Sequence, residues 1–184
     1  MSAQNFSHAG LTETIRSAVA TIGLEAKFLE IEVTESMLMR DINETVEILQ
    51  WMRDQGIRIA IDDFGTGYSS LAYLRRFPLD VLKIDRSFVQ ESTQNADGAA
   101  ITRAIIALAN SLNLEVVAEG VETVDQASFL QDHGCRIAQG YLYGKPVPAA
   151  DLLAMLNKAR STRRPAEPIA TATPALFGAV VAGG

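Results

Sequence analysis

The sequence predicts an α/β fold on a parallel sheet, a (β/α)₈-type barrel, with a doubly wound open sheet as the rival arrangement. Three observations lead there. Apolar periodicity alternates between helical spacing and strand-like runs along most of the chain. Strand ends fall near Thr34, Asp62, Asp85, Glu119 and Gln139, at intervals of 28, 23, 34 and 20 residues, against a mean repeat of about 31 in a barrel of roughly 250 residues. Each of those ends carries a polar or charged side chain, on the side where parallel barrels build their sites.

Taken in order, Leu11, Ile15, Val19 and Ile22 recur at helical spacing, and 29–34 alternates as a strand. Residues 46–53 read as helix, 57–61 as strand, 70–76 as helix and 81–84 as strand. A strongly helical stretch at 99–112 precedes a strand at 115–118, a helix at 124–132 and a strand at 137–142. A closing helix at 149–158 follows Pro146 and Pro148, since proline suits the approach to a helix and not its interior. Five strands can be counted. From Ser161 the composition turns to Arg, Pro, Ala and Thr without periodicity, which predicts a flexible tail over 161–184.

At 184 residues and 48% hydrophobic, the chain is long enough for a sizeable core and short for two domains. One domain is expected over 9–160, after a leader at 1–8. A net charge of −6 argues against a groove for a nucleic-acid polymer. Cys135 stands alone, so no internal disulfide forms. The start has neither a basic segment nor an apolar one, and no apolar run reaches membrane-spanning length. A cytoplasmic location is expected.

Alternation along a strand places same-parity residues on one face. Glu30, Glu32 and Thr34 then share a face, as do Arg58, Ala60 and Asp62, Val81, Lys83 and Asp85, and Val117 and Glu119. Glu32, Asp62, Lys83 and Glu119 can converge at one sheet end, leaving an excess of negative charge that a divalent cation would balance. Simpler readings exist for each residue. Glu32 suits an exposed edge, Lys83 a salt bridge with Asp85 or another carboxylate, Asp62 and Asp63 a capped turn with Gly65 and Gly67, Glu119 and Glu122 the first turn of a helix, and Gln139 a turn. His8 and His133 lack ligand spacing, and Cys135 suits a buried site. The coincidence of all five strand ends favours catalysis.

Glu32-Val33-Thr34-Glu35-Ser36, the run from Asp62 through Phe64-Gly65-Thr66-Gly67-Tyr68-Ser69-Ser70 to Leu71, Lys83-Ile84-Asp85, Ala118-Glu119-Gly120-Val121-Glu122-Thr123 and Gln139-Gly140-Tyr141 resemble, in order and spacing, the signature blocks of EAL domains. These are bacterial cyclic-di-GMP phosphodiesterases on a modified TIM barrel. The resemblance implies metal-dependent hydrolysis of cyclic di-GMP to linear pGpG, with Mg²⁺ or Mn²⁺ in a two-metal site. It further implies that Glu32, Asp62 and Asp63 ligate metal, that Lys83 holds the attacking water, and that Glu119 acts at that water or as general base. Gln139 and Glu122 would belong to the substrate pocket, and Glu35 would anchor the loop 64–70, through which the family links metal binding to dimer contacts.

The Glu-Ala-Leu segment and the asparagine-bearing block of the family do not occur, and Asn5 lies past the asparagine position. The expected fold is therefore an N-terminally truncated TIM-like barrel of EAL type, with about five of eight strands and impaired activity. Homodimerisation or self-association through open edges at 29–34 and 137–142 is expected, with sensory or GGDEF domains in a longer parent. Two alternatives are a non-catalytic module of the same lineage, binding cyclic di-GMP or a protein partner, and an unrelated metal-dependent barrel hydrolase.

Overall fold

The computed structural model describes residues 10–39, 41–65 and 74–162, with side chains to residue 157. Its elements are α1 (Leu11–Ile22), a 3₁₀ turn (Ala26–Phe28), β1 (Glu30–Thr34), α2 (Glu35–Leu38), α3 (Ile42–Asp54) and β2 (Arg58–Phe64). They continue with β3 (Val81–Ile84), α4 (Arg86–Glu91), α5 (Ala96–Ser111), β4 (Glu115–Ala118), α6 (Val124–Asp132), β5 (Ile137–Ala138) and α7 (Ala149–Thr162).

The five strands pair in parallel, in the order β1-β2-β3-β4-β5. A doubly wound sheet reverses its order at a switch point, and among the described strands there is no reversal, so the rival topology is excluded for them. Alternation sends Val33, Ile59, Ile61, Leu82, Ile84, Val116 and Ala118 to one face, where they bury against Leu49 and Met52 of α3, Ile105, Ile106 and Ala109 of α5, and Leu130 of α6. Each fully buried Leu or Ile contributes about 1.5–3 kcal/mol of transfer free energy, so this one face holds the sheet to its helices.

The other face is charged. At its lower end Arg58 Nη2 lies 2.6 Å from Glu115 Oε1 and Nε 3.6 Å from Glu30 Oε2, tying β2 to β4 and β1. At its upper end lie the predicted site residues.

Helix starts follow their caps. Asp41 accepts from Glu44 N at 3.1 Å, Asn95 from Gly98 N at 2.6 Å, and Thr123 forms a capping box with Gln126. Thr123→Ala is expected to cost about 1 kcal/mol, read as a lower urea midpoint with an unchanged m-value; no change in midpoint would show that the box contributes nothing. The Cys135 thiol is 4% exposed, bonds to Ile137 O at 3.3 Å, and is pushed up to about 11 by burial. It is therefore expected to resist alkylation at pH 8 until the chain unfolds, and modification of the folded protein would contradict this.

Four elements differ from the sequence expectation. The strand expected at 137–142 is only Ile137–Ala138, because the chain turns at Gln139 and Gly140 to pack against Val121, whose N donates to Gln139 O at 3.0 Å. β2 runs on through Phe64 instead of ending before the turn. The short helices α2 and α4 follow strand ends directly and are too short to show a period. The helix expected at 70–76 falls mostly outside the described residues, as do the leader at 1–8 and all but the first two residues of the tail, which belong to α7. No described helix is long and apolar enough to cross a membrane.

A candidate metal centre at the strand ends

Parallel strands put their C-terminal ends on one edge of the sheet, so the polar groups there gather in space. Lys83, from the central strand β3, is the hub. Its side chain is 7% exposed, and its Nζ lies 2.5 Å from Glu32 Oε1, 2.7 Å from Glu119 Oε1 and 3.1 Å from Asp62 Oδ1. Burial pulls this ammonium down, but the hydrogen bonds it donates to Glu119 and Glu32 and the charges of Glu119 and Asp62 reverse the effect and leave it raised. Lys83 stays charged. The ion pairs of Lys83 are thus with other carboxylates and not with Asp85, which caps α4, accepting from Ser87 N at 3.0 Å and Ser87 Oγ at 2.5 Å.

Asp62 and Asp63 are sequence neighbours, and a regular strand would send them to opposite faces. The pairing of β2 with β3 slips here, since Ile61 opposes Leu82 whereas Phe64 opposes Ile84. One extra residue on β2 makes a bulge, and Asp63 takes φ 53°, in the left-handed region. Phe64 thereby returns to the apolar core at 4% exposure, and both carboxylates stay on the site side. Carboxylate oxygens of Asp62, Asp63 and Glu119 lie within 4.8 Å of one another.

Burial raises the Asp63 carboxyl, and the charges of Asp62 and Asp85 add to the effect. Glu119 is also raised, first by burial, with Lys83 pulling the other way and Asp62 and Glu32 pushing up. The upward shifts of Lys83 and Glu119 are compatible, because Lys83 answers to several anions while Glu119 shares its single cation. Asp62 Oδ1 is buried and, although within ion-pair range of Lys83, lacks an aligned hydrogen bond among the described residues. An orphaned anionic oxygen beside two more carboxylates fits a hard divalent cation such as Mg²⁺ or Mn²⁺.

Glu32 lies on end strand β1 but is paired, not simply exposed. Glu119 and Glu122 precede α6, which begins at Val124, so the first-turn reading is set aside. Glu122 Oε1 accepts from Arg86 Nη2 at 2.7 Å. Gln139 joins Glu119, Glu122, Arg86 and Tyr141 around a cavity of about 210 Å³. Glu35 is 5% exposed, and among the described residues neither carboxylate oxygen has a hydrogen-bond partner. Most of the loop assigned to it, 64–70, lies outside the described residues. Sequence reasoning passed over Arg86, whose only signal was a basic residue just past a strand end, and Tyr141, quoted with Gln139 but given no role.

The EAL domain model matches residues 1–146. The chain belongs to the EAL domain family. It is 48% identical over 163 residues to the cyclic di-GMP phosphodiesterase NbdA of Pseudomonas aeruginosa, covering 89% of this chain and 21% of that protein. It is 51% identical over 154 residues to the bifunctional diguanylate cyclase/cyclic di-GMP phosphodiesterase MucR of the same organism, covering 84% and 22%. The chain thus spans about a fifth of the length of these curated relatives. The solved MucR phosphodiesterase in complex with c-di-GMP superposes with a TM-score of 0.80 at 51% identity, over 83% of this chain and 62% of that one. Klebsiella pneumoniae BlrP1 with manganese and cyclic di-GMP gives 0.69 at 33% identity, over 75% and 35%. The fold is the TIM-like α/β architecture of EAL domains.

Proposed function

We propose that this chain carries the metal-dependent centre of a cyclic-di-GMP phosphodiesterase, which opens one phosphodiester to give linear pGpG. The observation that carries the reading is the cluster of Asp62, Asp63 and Glu119 oxygens beside the buried Lys83 ammonium. Glu32, Asp62 and Asp63 would hold Mg²⁺ or Mn²⁺. Bound there, such cations would supply a nucleophilic water at neutral pH and positive charge for the developing oxyanion. Lys83 would orient the attacking water, and its fixed positive charge favours the anionic substrate. Glu119, made more basic by burial, accepts the proton. Gln139 and Glu122 border the cavity that receives part of the dinucleotide. Glu35 anchors the loop 64–70. The working domain is 9–160, and a cytoplasmic setting suits a soluble second messenger.

The test is product chromatography of cyclic di-GMP incubated with excess protein and Mn²⁺. Appearance of pGpG, abolished by EDTA, is expected; substrate left intact at all metal concentrations would overturn the reading.

Self-association belongs to the same proposal, because among the described residues β1 and β5 end the strand order, each with one backbone edge facing no further strand. Light scattering is expected to give a mass above that of one 19.9 kDa chain. A monodisperse monomer would remove this part.

A further inference from the structure

We propose that Arg86 is a positioning residue for Glu119, acting through Gly120 and Glu122. The inference rests on the reading of Glu119 as part of the working centre. Glu119 directly follows β4, its N donating to Ile84 O at 3.1 Å, and the next residues decide where its carboxylate points. Those residues are clamped from two sides. On one side the bare Cα of Gly140 lies against the backbone of Val121, where a Cβ would come within 2.1 Å of Val121 O. On the other side is the Arg86 side chain. Gly120 adopts φ 66°, and a Cβ there would meet Arg86 Cγ at 2.3 Å, so the arginine stem packs directly on the Gly120 backbone.

The guanidinium extends the clamp. Nη2 donates to Glu122 Oε1 at 2.7 Å, and with the Gln90 amide oxygen turned towards it, Nε and Nη2 donate to Gln90 at 2.8 and 3.0 Å. Gln90 and Arg86 both belong to α4, so the guanidinium is braced on its own helix before it reaches across. Glu122 is fixed at its other end, where its N donates to Gln126 Oε1 at 2.8 Å inside the α6 capping box. The Arg86–Glu122 pair is partly exposed and contributes little to global stability. Its effect is on position: it gives the turn from Glu119 to Thr123 one conformation, next to the cavity that Arg86 and Glu119 both line.

The experiment compares the 184-residue chain with Arg86→Met, which keeps the stem and loses the fork, and with Arg86→Lys, which keeps a charge. Amide exchange at Val121 and Glu122 is expected to quicken about tenfold in Arg86→Met, while Ile59 and Ile61 in β2 hold their protection. Turnover of cyclic di-GMP is expected to show kcat lowered about tenfold with KM within about twofold, and Mn²⁺ binding to weaken several-fold. Arg86→Lys recovers most of each loss. Unchanged exchange at Val121 and Glu122 would overturn the proposal. Faster exchange with kcat and Mn²⁺ affinity unchanged would also overturn it, by reducing Arg86 to a structural contact. A wild-type chain that neither binds Mn²⁺ nor cleaves cyclic di-GMP overturns the functional reading instead, and the exchange arm alone then decides whether Arg86 holds the loop.

Discussion

Glu119→Gln is expected to lower Mn²⁺-dependent cleavage of cyclic di-GMP by about 10²–10⁴-fold with the fold intact, the usual range for loss of a positioned general base. The substitution keeps the size of the side chain and deletes its charge and basicity. Lys83 retains Glu32 and Asp62 as partners, so the buried ammonium is not stranded. Glu119 also contributes an oxygen to the Asp62-Asp63 cluster, so weaker Mn²⁺ binding is expected alongside slower turnover. Saturating the variant with Mn²⁺ separates the two effects: loss of turnover that persists at saturation belongs to the proton step. Full activity of the variant at saturating metal would take Glu119 out of the chemistry.

Lys83→Ala is expected to be the most destabilising single change in the site, by about 3–5 kcal/mol at pH 7, the typical cost of breaking a buried charge network from one side. That is a large share of a typical stability of about 5–15 kcal/mol. Glu32 is 43% exposed, so water replaces much of what it loses. Asp62 and Glu119, each 22% exposed, carry more of the cost. The sign of the pH dependence follows from the carboxylates left behind. Burial already raises Glu119 above its ordinary value, and removing Lys83 takes away the main opposing influence. A carboxyl raised in the fold is destabilising when ionised and less so when protonated. The stability gap between wild type and variant should therefore shrink as pH falls from 7 towards about 5, below which both forms lose other interactions. Urea unfolding at several pH values measures it; a pH-independent gap would mean that the loss is one of packing rather than charge.

Much of the site was legible in the sequence, for a simple reason. Parallel strands share their direction, so residues that end successive strands meet whatever the detailed geometry. Glu32, Asp62, Lys83 and Glu119 could be gathered from parity alone, and they are gathered around the Lys83 ammonium. Local periodicity was legible too: the helix expected at 124–132 matches α6 residue for residue, and in the structure the Thr123–Gln126 capping box fixes its start. Short elements were not. β5 lost four of its six expected residues to a turn that depends on Gly140 meeting Val121, a contact between segments distant in sequence.

By itself, the sequence determined the parallel α/β class, the succession of strands and helices, and the carboxylate-rich strand ends, since these follow from periodicity and direction. Only the tertiary structure decided the rest. It excluded the doubly wound order among the described strands, which periodicity cannot see, because order is a property of pairing. It set Asp63 beside Asp62 through a bulge that strict alternation forbids, a left-handed backbone at a non-glycine residue compensated by returning Phe64 to the core. It also brought Arg86 across Gly120 to Glu122, for an arginine's reach is fixed by what lies under its stem, and that was supplied from another strand's loop.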